Sequence, residues 1–449
     1  MMAEKQAETI VIGAGMAGIM AARTLQAAGR EVLVLEARPR VGGRTHTDYS
    51  LGTAVDLGAA WIHGADGNPL LPYAKKYGID HAPTDFINRS RTAVQAYAAD
   101  GRPLDMDAFT DGQWLANGAW ALAHGSLLHP RPDPAHRTLR EFLENDLPRP
   151  ADLSPDAEKG FYYWSTVLYE YLCAADWDTI DVKLNEGQHF GFPGGDLLLY
   201  GGGYTKIIER FVAELAVVVN TAVESITLTA DGVRLQTNNG DYTAQNAIVT
   251  VPLGVLKAGH LRFEPALPPA KQQAIQRIGF GHYEKLALRF DQFYWPRDKQ
   301  RFNYISTGEP TLFNVWLNTG HYTGEPVIVA YHAGRRARRI NEWDDATFVA
   351  EARRVMQRIF GDNGFGQIPE PEAYVRTTWQ QDPFSNGSYS FDQIGQLVTD
   401  RETLAEPVGQ RLFFAGEATH PHFYASVHGA YETGIRAAQE VLGAVNCEL

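Results

Sequence analysis

The sequence has too few cysteines to be held together by disulfide bonds. Only Cys173 and Cys447 occur among 449 residues, and their separation matches neither a metal-binding spacing nor a redox-active pair. Cys173 lies in an apolar, aromatic stretch, which favours a place in the core. The low cysteine content therefore predicts a reducing, cytoplasmic compartment and no metal site.

Long hydrophobic runs are also missing. The most apolar N-terminal stretch, residues 9–22, is interrupted by three glycines and is too short to cross a bilayer. It lacks the basic start of a secretory signal, and no later run approaches about 20 apolar residues. We therefore expect neither a membrane segment nor a signal peptide.

Basic residues are fewer than acidic ones. The 40 lysines and arginines stand against 53 aspartates and glutamates, which gives a formal net charge of −13. A nucleic-acid partner requires a basic footprint and is not expected. The negative charge suits a cationic small molecule, although the needs of solubility explain it equally well. Patterns typical of P-loop hydrolases, zinc proteases and serine hydrolases are absent too.

What the sequence does contain is a glycine-rich turn between a short strand and a helix. The strand is predicted over Thr9–Ile12, and residues 13–18 have the G-x-G-x-x-G pattern. In this setting Gly13 permits a tight turn, Gly15 lets the backbone approach a pyrophosphate, and Gly18 lets the helix pack on the strand. The helix N terminus favours the same anion. The pattern predicts a Rossmann-type dinucleotide site.

A carboxylate and a diglycine loop follow the second predicted strand, residues 31–36. Glu36 comes 18 residues after Gly18 (36 − 18), where a carboxylate accepts hydrogen bonds from ribose hydroxyls and repels a 2′-phosphate. FAD or NAD is therefore favoured over NADP. Arg38 follows, and Arg44 comes directly after two glycines, where an arginine suits a second contact with the diphosphate.

Further elements are predicted along the chain. A buried aromatic helix is expected over 161–172, and the last helix over 429–442. The remaining predicted strands are Val223–Leu228, Val233–Thr237, Ala247–Val251, Glu284–Phe290 and Arg411–Ala415. Because strands typical of nucleotide binding occur near both ends and in the middle, two discontinuous domains fit the pattern better than two consecutive ones.

With these motifs, the sequence resembles the flavin-containing amine oxidases, a family that includes monoamine oxidases, polyamine oxidases and histone lysine demethylases. The resemblance runs nearly end to end. It rests on Gly13–Gly18, Glu36, Gly42–Arg44, Gly58–Trp61, Val249–Leu256, Lys285, Trp379–Ser390 and Phe414–His420.

The resemblance implies an α/β fold of the amine oxidase or p-hydroxybenzoate hydroxylase type. A Rossmann-like FAD-binding domain would comprise residues 1–85, 190–283 and 392–449. An interleaved α+β substrate-binding domain would comprise residues 86–189 and 284–391. The flavin ring would meet the substrate where the two domains join.

The resemblance also implies the residues that hold the cofactor. Val223 resembles a residue whose backbone contacts adenine, and Glu417 resembles the acid of a second FAD motif. Ser388 replaces the cysteine through which monoamine oxidases attach FAD, so we expect FAD to be bound non-covalently. The expected cofactor-binding residues are Gly13, Gly15, Met16, Ala17, Gly18, Glu36, Ala37, Arg38, Gly43, Arg44, Ala60, Trp61, Val223, Gly416, Glu417, Ser426 and Val427.

Three residues are expected to be catalytic. Lys285 resembles the lysine that holds a water at flavin N5, although the strand pattern alone would place it on a solvated face. Tyr389 resembles an aromatic wall that steers the amine. His63, in a Trp–x–His–Gly pattern similar to that of many polyamine oxidases, suits a hydrogen bond with a substrate nitrogen, but a core histidine is the alternative.

Five residues are expected to contact the substrate: Trp61, Glu186, Tyr204, Trp379 and Ser426. Ser426 stands where monoamine oxidases carry a second tyrosine wall, so Tyr424 or Phe423 would have to compensate. Glu186 is the first candidate among the carboxylates for distal ammonium groups, followed by Glu170 and Asp196, and each of these acids has an ordinary surface position as its alternative.

The resemblance implies FAD-dependent oxidation of a small cationic amine, closest to the polyamine oxidase branch. A polyamine such as spermine, spermidine or an N-acetyl derivative would form an imine, then an aldehyde and a smaller amine, while molecular oxygen becomes hydrogen peroxide. Monoamine oxidase and L-amino-acid oxidase are the alternatives, the latter with Arg89 or Arg91 for a carboxylate. A non-oxidase FAD-binding protein or a flavin desaturase is a further alternative.

Overall fold

Two large β-sheets, with helices packed against them, form the frame of the protein. The computed structural model describes residues 5–85, 90–126, 129–130, 136–182, 192–306 and 311–447. The chain has a mixed α/β fold with parallel strands, as the sequence predicts. Within these ranges, no helix combines the length and the apolar character needed to cross a bilayer.

The larger sheet has eight strands in the described residues. In spatial order seven of them are Val217–Val218, Val32–Leu35, Lys5–Ile12, Gly240–Val249, Val233–Thr237, Val223–Leu228 and Arg262–Glu264, and the eighth, Leu412–Phe414, also pairs with Gly240–Val249. Lys5–Ile12 lies parallel to both of its neighbours. The carboxyl ends of these parallel strands meet at one edge, which is where open α/β sheets bind ligands.

One strand of this sheet is longer than the sequence predicts. Gly240–Val249 pairs antiparallel with Val233–Thr237 in its first half and parallel with Leu412–Phe414 in its second half. The sequence pattern indicated only its apolar end, because the first half alternates between buried and partly exposed residues. This strand therefore joins the predicted hairpin to the parallel part of the sheet.

The helix after the strand covers Met16–Ala27, so it begins inside the glycine turn. Its N-cap is Gly15, and no side chain caps it. It packs against the C-terminal helix Val427–Cys447, which starts two residues before its predicted beginning. Gly29 has a φ of +76°, in the left-handed region that ends many helices.

The second large sheet has six strands. Their spatial order is Ala373–Arg376, Tyr283–Arg289, Val327–Ala333, Val315–Leu317, Arg301–Ile305 and Val94–Ala98. All neighbouring pairs are antiparallel except the last, which is parallel. The sheet is buried on both faces, so that residues 284–288 all have less than 5% of their surface exposed.

Smaller strand pairs complete the β structure. Asp196–Leu199 lies between Trp61–Ile62 and His81–Thr84. The other pairs are Gly279–Phe280 with Ser390–Phe391, Thr47–Asp48 with Val55–Asp56, and Gly125–Ser126 with His129–Pro130. The proposed domain boundaries stay a prediction.

The predicted aromatic helix is longer than expected and has a wider turn at its centre. It runs through Pro155–Tyr162, a π-helical segment at Tyr163–Val167, and Leu168–Cys173. Such π segments frequently occur near functional sites. The remaining helices are Leu71–Lys76, Met106–His124, Leu139–Asn145, Gly203–Val212, Leu253–Ala258, Pro269–Arg277, Gly320–Thr323, Arg335–Ile340, Asp345–Ile359, Asp400–Ala405 and the 3₁₀ turns Gly361–Asn363 and Glu417–Thr419.

Candidate active site

A cavity of about 490 Å³ extends from the edge of the eight-stranded sheet to the six-stranded sheet. Most of the residues predicted for the site line it. They are Gly13, Gly15, Met16, Ala17, Glu36, Ala37, Arg38, Gly43, Arg44, Ala60, Trp61, His63, Val223, Lys285, Trp379, Tyr389, Gly416, Glu417, Ser426 and Val427. Gly18 and Tyr204 do not line it. Glu186 and Arg89 lie outside the described residues.

The glycines at the first end of the cavity differ in what surrounds them. A Cβ atom added to Gly15 would meet no atom within 4 Å, because this glycine faces open space. A Cβ added to Gly18 would lie 1.9 Å from the carbonyl oxygen of Gly13. Gly15 thus leaves room for a ligand, whereas Gly18 allows the helix to approach the preceding turn.

Glu36 closes this end of the cavity and is only 4% exposed. Its two carboxylate oxygens accept hydrogen bonds from the backbone N–H groups of Ala14, at 2.7 Å, and Arg38, at 2.9 Å. Because a carboxylate oxygen has two acceptor positions, each oxygen keeps one for a further donor. The side chain is thereby held in place at the cavity wall and can still accept hydrogen bonds from ribose hydroxyls.

Two arginines bring positive charge to the middle of the cavity. Arg44 donates to the Ser388 carbonyl at 2.8 Å and to Glu417 at 2.9 Å. Burial would raise the pKa of Glu417, but Arg44 and the hydrogen bonds from Ser390 and Ala425 hold that pKa below its usual value. Arg38, the second arginine, is fixed by an ion pair of 2.8 Å with Asp382.

These features fit a flavin dinucleotide. A helix N terminus without a side-chain cap, glycines that leave open space and nearby arginines all favour binding of a diphosphate, and all three occur in the cavity lining. The ribose acceptor Glu36 lies at one end of this wall, and aromatic residues line the other end. The cavity lining therefore contains suitable groups for both halves of such a cofactor, the nucleotide and the flavin ring.

Lys285 lies inside a strand and is 4% exposed, not on a solvated strand face. Its ammonium group donates hydrogen bonds to the backbone carbonyls of Asp56, at 2.7 Å, and Gly58, at 2.5 Å. Burial lowers the pKa of Lys285 and raises the pKa of the neighbouring Asp56 carboxyl. With two of its three hydrogens engaged, the ammonium group has one donor for a water or ligand in the cavity.

Aromatic rings surround the cavity near Lys285. The Tyr389 hydroxyl donates to the Tyr171 carbonyl at 2.8 Å, and its ring centroid lies 5.9 Å from that of Tyr283. Tyr331 continues the cluster, 5.7 Å from Tyr283 and 6.0 Å from Trp61. Such rings keep water out and can contact a cation through their faces.

The loop that carries Trp379 is held by one buried acid. Glu284, which is 0% exposed, accepts hydrogen bonds from the backbone N–H groups of Trp379 and Gln380, each at 3.0 Å, and from Thr377. The Trp379 indole donates to the Leu57 carbonyl at 3.2 Å. Burial raises the pKa of Glu284, and these hydrogen bonds oppose that rise.

His63 and Asp196 form a pair at the cavity wall. Leu197 is opposite Ile62 in the antiparallel register, so Asp196 lies beside His63. His63 Nδ1 is 3.2 Å from Asp196 Oδ1, which also accepts the Gly64 N–H at 3.0 Å. Burial would raise the pKa of Asp196, but these hydrogen bonds lower it below the usual value. Asp196 is therefore a partner of His63 and not an ordinary surface acid.

Two other predicted substrate contacts have structural partners. The Tyr204 hydroxyl donates to the Trp61 carbonyl at 2.7 Å, so this residue acts on the cavity only through Trp61. The Ser426 hydroxyl donates to the Phe423 carbonyl and accepts the Gly429 N–H at 2.9 Å, at the start of the last helix. Ser426 lines the cavity, but its hydroxyl is already engaged.

Two charged candidates lie away from the cavity lining. Glu170 is 3% exposed and pairs with Arg336 at 2.5 Å, so it is a buried structural acid and not a surface one. Arg91 pairs at the surface with Asp107 and Asp111 and does not contact the cavity. The arginine that an amino-acid oxidase would need is thus not supplied by Arg91.

Sequence reasoning missed several lining residues. Tyr171, Leu172 and Tyr283 contribute to the aromatic end, and Asp56 and Glu284 support it from behind. Tyr171 lies in the last turn of the long aromatic helix. Tyr283 precedes Lys285 by two residues, the spacing that places side chains on one face of a strand. That spacing was an available signal for Tyr283, whereas none was available for Asp56.

Comparisons with known proteins agree with this geometry. The sequence model of the family described as flavin containing amine oxidoreductase matches residues 16–442. Polyamine oxidase 2 of Arabidopsis thaliana is 35% identical, with 98% of this chain and 89% of that protein aligned. Polyamine oxidase 4 of Oryza sativa subsp. japonica is 34% identical, with 96% and 88% aligned. Lysine-specific histone demethylase 1 homolog 3 of the same subspecies is 33% identical, and this chain spans 53% of its length.

Proposed function

The chain belongs to the flavin containing amine oxidoreductases, and we propose that it oxidises a polyamine with non-covalently bound FAD and molecular oxygen. It is an amine oxidase enzyme, as the sequence predicts. The proposal adds the substrate class, the mode of cofactor binding, the hydrogen peroxide product and a cytoplasmic location. The polyamine assignment is supported by relatives that carry the name polyamine oxidase and by the His63 pattern.

The first end of the cavity would hold the adenosine and diphosphate of FAD. Glu36 would accept hydrogen bonds from the ribose, and Val223 would contact the adenine. The backbone at Gly15 and the Arg44 guanidinium would bind the diphosphate. When bound, the flavin supplies the redox chemistry, because it takes up two electrons from the carbon next to the amine nitrogen and delivers them to oxygen.

The second end of the cavity would bind and orient the amine. The faces of Tyr389 and Trp379 would contact its carbon chain, and His63, with Nδ1 facing Asp196, would bond a substrate nitrogen through Nε2. Two of the Lys285 ammonium hydrogens bond the Asp56 and Gly58 carbonyls, and the third would hold a water. Since only a neutral amine can give up electrons from its α-carbon, the rate should rise with pH.

One observation carries this proposal: a single cavity joins a glycine turn at an uncapped helix N terminus to an aromatic end that contains a buried lysine. The glycine turn alone is compatible with many dinucleotide enzymes. Among these, the aromatic end with Lys285 favours an enzyme whose substrate site keeps water out and can contact a cation through the faces of its rings. Neither end alone would support the assignment.

The test is anaerobic mixing of the yellow protein with spermine, spermidine, their N-acetyl forms, a monoamine and leucine. We expect a polyamine to bleach the flavin absorbance fastest, and air to restore the colour with one peroxide released per cycle. Bleaching by leucine or the monoamine alone would contradict the polyamine assignment. A yellow protein that no amine bleaches would contradict amine oxidation itself.

Acid precipitation separately tests how the cofactor is bound. Because Ser388 offers no thiol for attachment, all flavin should remain in the supernatant when the protein precipitates. Yellow colour in the washed pellet would contradict non-covalent binding.

A further inference from the structure

Asp56 is a buried acid that contacts Lys285 but does not line the cavity. Its backbone carbonyl accepts the Lys285 ammonium group at 2.7 Å. Only 9% of the residue is exposed, and its carboxylate Oδ2 is buried without a hydrogen-bond donor in the described part of the chain. A buried carboxylate oxygen without a donor is costly, so another interaction must stabilise it.

The other carboxylate oxygen of Asp56 is held in place. Oδ1 accepts the Thr47 hydroxyl at 2.5 Å across a two-stranded antiparallel pair. The backbone N–H of Tyr204, in the first turn of the helix Gly203–Val212, also interacts with the carboxyl. A Cβ atom added to Gly203 would lie 2.1 Å from Oδ1, so the carboxyl packs directly on the start of this helix. A helix N terminus favours a negative charge, and these contacts therefore support the ionised carboxylate.

Lys285 is the cation nearest to this carboxylate in the fold. Its ammonium group is bonded to two neutral carbonyls, those of Asp56 and Gly58. The carboxylate and the ammonium group form no direct hydrogen bond, yet each shifts the pKa of the other towards the charged form. Because little water screens charges in a buried site, such an attraction is stronger there than at the surface. It supplies the stabilisation that Asp56 Oδ2 lacks.

Other titratable groups around the pair are neutral. They are three buried phenols, those of Tyr204, Tyr283 and Tyr331. The Tyr331 ring centroid lies 5.4 Å from the ammonium nitrogen, and burial raises the pKa of all three phenols. Glu284 lies on the opposite face of the strand and binds backbone N–H groups there. Within the described residues, Asp56 is thus the one acid that affects the pKa of Lys285.

We propose that Asp56 is a positioning residue for the amine oxidation, because its carboxylate is the counter-ion that keeps the Lys285 ammonium group charged beside the cavity. A charged ammonium group donates to a water and attracts the negative charge that develops when oxygen takes up electrons. A neutral lysine side chain does this less well. The inference rests on the proposed function for the role of Lys285, and it adds the group that controls the charge of this lysine.

The first test requires neither flavin nor turnover. Flavin-free Asp56→Asn, Lys285→Met and the double variant are unfolded with urea at about pH 7.5. Each single substitution leaves one buried charge without its partner, so both should lower the urea midpoint. The double variant should lose clearly less than the sum of the two single losses. Additive losses would show that the two groups do not interact and would overturn the inference.

The second test follows the charge on Lys285 through flavin reoxidation. The flavin is reduced by light, so that no amine is needed, and the reduced protein is mixed with oxygen at several pH values. In the wild type the rate should fall around the Lys285 pKa of about 8. In Asp56→Asn the fall should occur about one pH unit lower, because the counter-ion is gone. The two rates should therefore agree within about twofold at pH 6 and differ about fivefold at pH 8.

Two further variants separate charge from structure. Asp48→Asn removes an acid from the same strand pair that does not affect the pKa of Lys285, so its pH profile should match the wild type. Thr47→Val keeps Asp56 but removes a donor to its carboxylate. Its fall should move in the same direction as that of Asp56→Asn by a smaller amount, which covers the case in which Asp56→Asn does not fold.

A reoxidation rate that drops equally at every pH in Asp56→Asn would indicate a purely structural role and would overturn the inference. So would a shift in Asp48→Asn as large as that in Asp56→Asn. Neither test uses an amine. If both tests succeed and no amine bleaches the flavin, the proposed function fails while the role of Asp56 stands. If both fail and a polyamine bleaches the flavin, the reverse holds.

Discussion

In the eight-stranded sheet, residues that follow the strands line the cavity, whereas in the six-stranded sheet a residue inside a strand does so. Gly13 and Glu36 come directly after Lys5–Ile12 and Val32–Leu35. Lys285 lies in the middle region of Tyr283–Arg289, with strands on both sides. The first sheet therefore offers backbone groups to a ligand, and the second offers a buried side chain.

This difference has an energetic consequence. The first N–H groups of a helix have no partner within it, so those at the start of Met16–Ala27 need no special support to bind a ligand. A buried ammonium group is costly unless acceptors surround it, and Lys285 depends on the carbonyls of Asp56 and Gly58 for this. Substitutions at the cavity should therefore affect different properties of the protein in the two sheets.

The largest expected effect concerns the two glycines of the first sheet. Gly18→Ala would push a Cβ to 1.9 Å from the Gly13 carbonyl oxygen, so we expect loss of both flavin binding and folding stability. Gly15→Ala has open space and should leave the stability of the flavin-free protein unchanged. It should still weaken FAD binding by about a hundredfold or more, because the methyl group occupies the space for the diphosphate.

Flavin titration and urea unfolding of the flavin-free protein measure the two quantities separately. Ala22→Gly, which removes a methyl group from the same helix at a position outside the cavity lining, is the control for a general loosening of the helix. If Gly15→Ala destabilised the flavin-free protein as much as Gly18→Ala, the proposed distinction between the two glycines would be wrong.

The second effect concerns the buried lysine of the six-stranded sheet. Lys285→Met removes the charge but keeps much of the volume, so FAD should remain bound while reoxidation of the reduced flavin slows by about tenfold to a hundredfold. Stopped-flow mixing of the reduced protein with oxygen measures this rate.

Lys257→Met is the matched control for Lys285→Met. Lys257 is partly buried and, like Lys285, donates to two backbone carbonyls, those of Ile275 and Gln276, but it does not line the cavity. This variant should reoxidise at the wild-type rate. Equal rates for all three proteins would remove the role proposed for Lys285.

The same contrast explains which parts the sequence could predict. The glycine turn, Glu36 and Arg44 could be assigned to the cavity from the sequence because they belong to one short stretch, residues 13–44, with a recognisable pattern. Strand limits were less accurate: Lys5–Ile12 begins four residues before its predicted start because pairing with Gly240–Val249 extends it. Apolar character alone marks only the part of a strand that is buried on both faces.

The aromatic end was harder to predict because its residues depend on distant partners. Glu170 has the composition of a surface acid, yet Arg336, 166 residues away, makes it a buried ion pair. Tyr424 lines the cavity in a position that Asp392 and Arg401 fix. Such pairings follow from the tertiary fold and leave no periodic signal in the sequence.

The smallest expected effect is the acid sensitivity of the six-stranded sheet. His332, in Val327–Ala333, is 0% exposed, and burial together with Arg336 and Arg376 lowers its pKa from 6.5 to about 3. The unfolded chain therefore takes up the proton first as the pH falls below 6.5, and stability decreases from there towards pH 3. His332→Phe should reduce the loss of unfolding free energy between pH 7 and pH 4.5 by about 2 kcal/mol.

Ile328→Val, on the same strand, should lower stability by about 1 kcal/mol at both pH values without changing that difference. Urea unfolding at the two pH values measures both, and an unchanged pH dependence in His332→Phe would show that the acid sensitivity arises elsewhere.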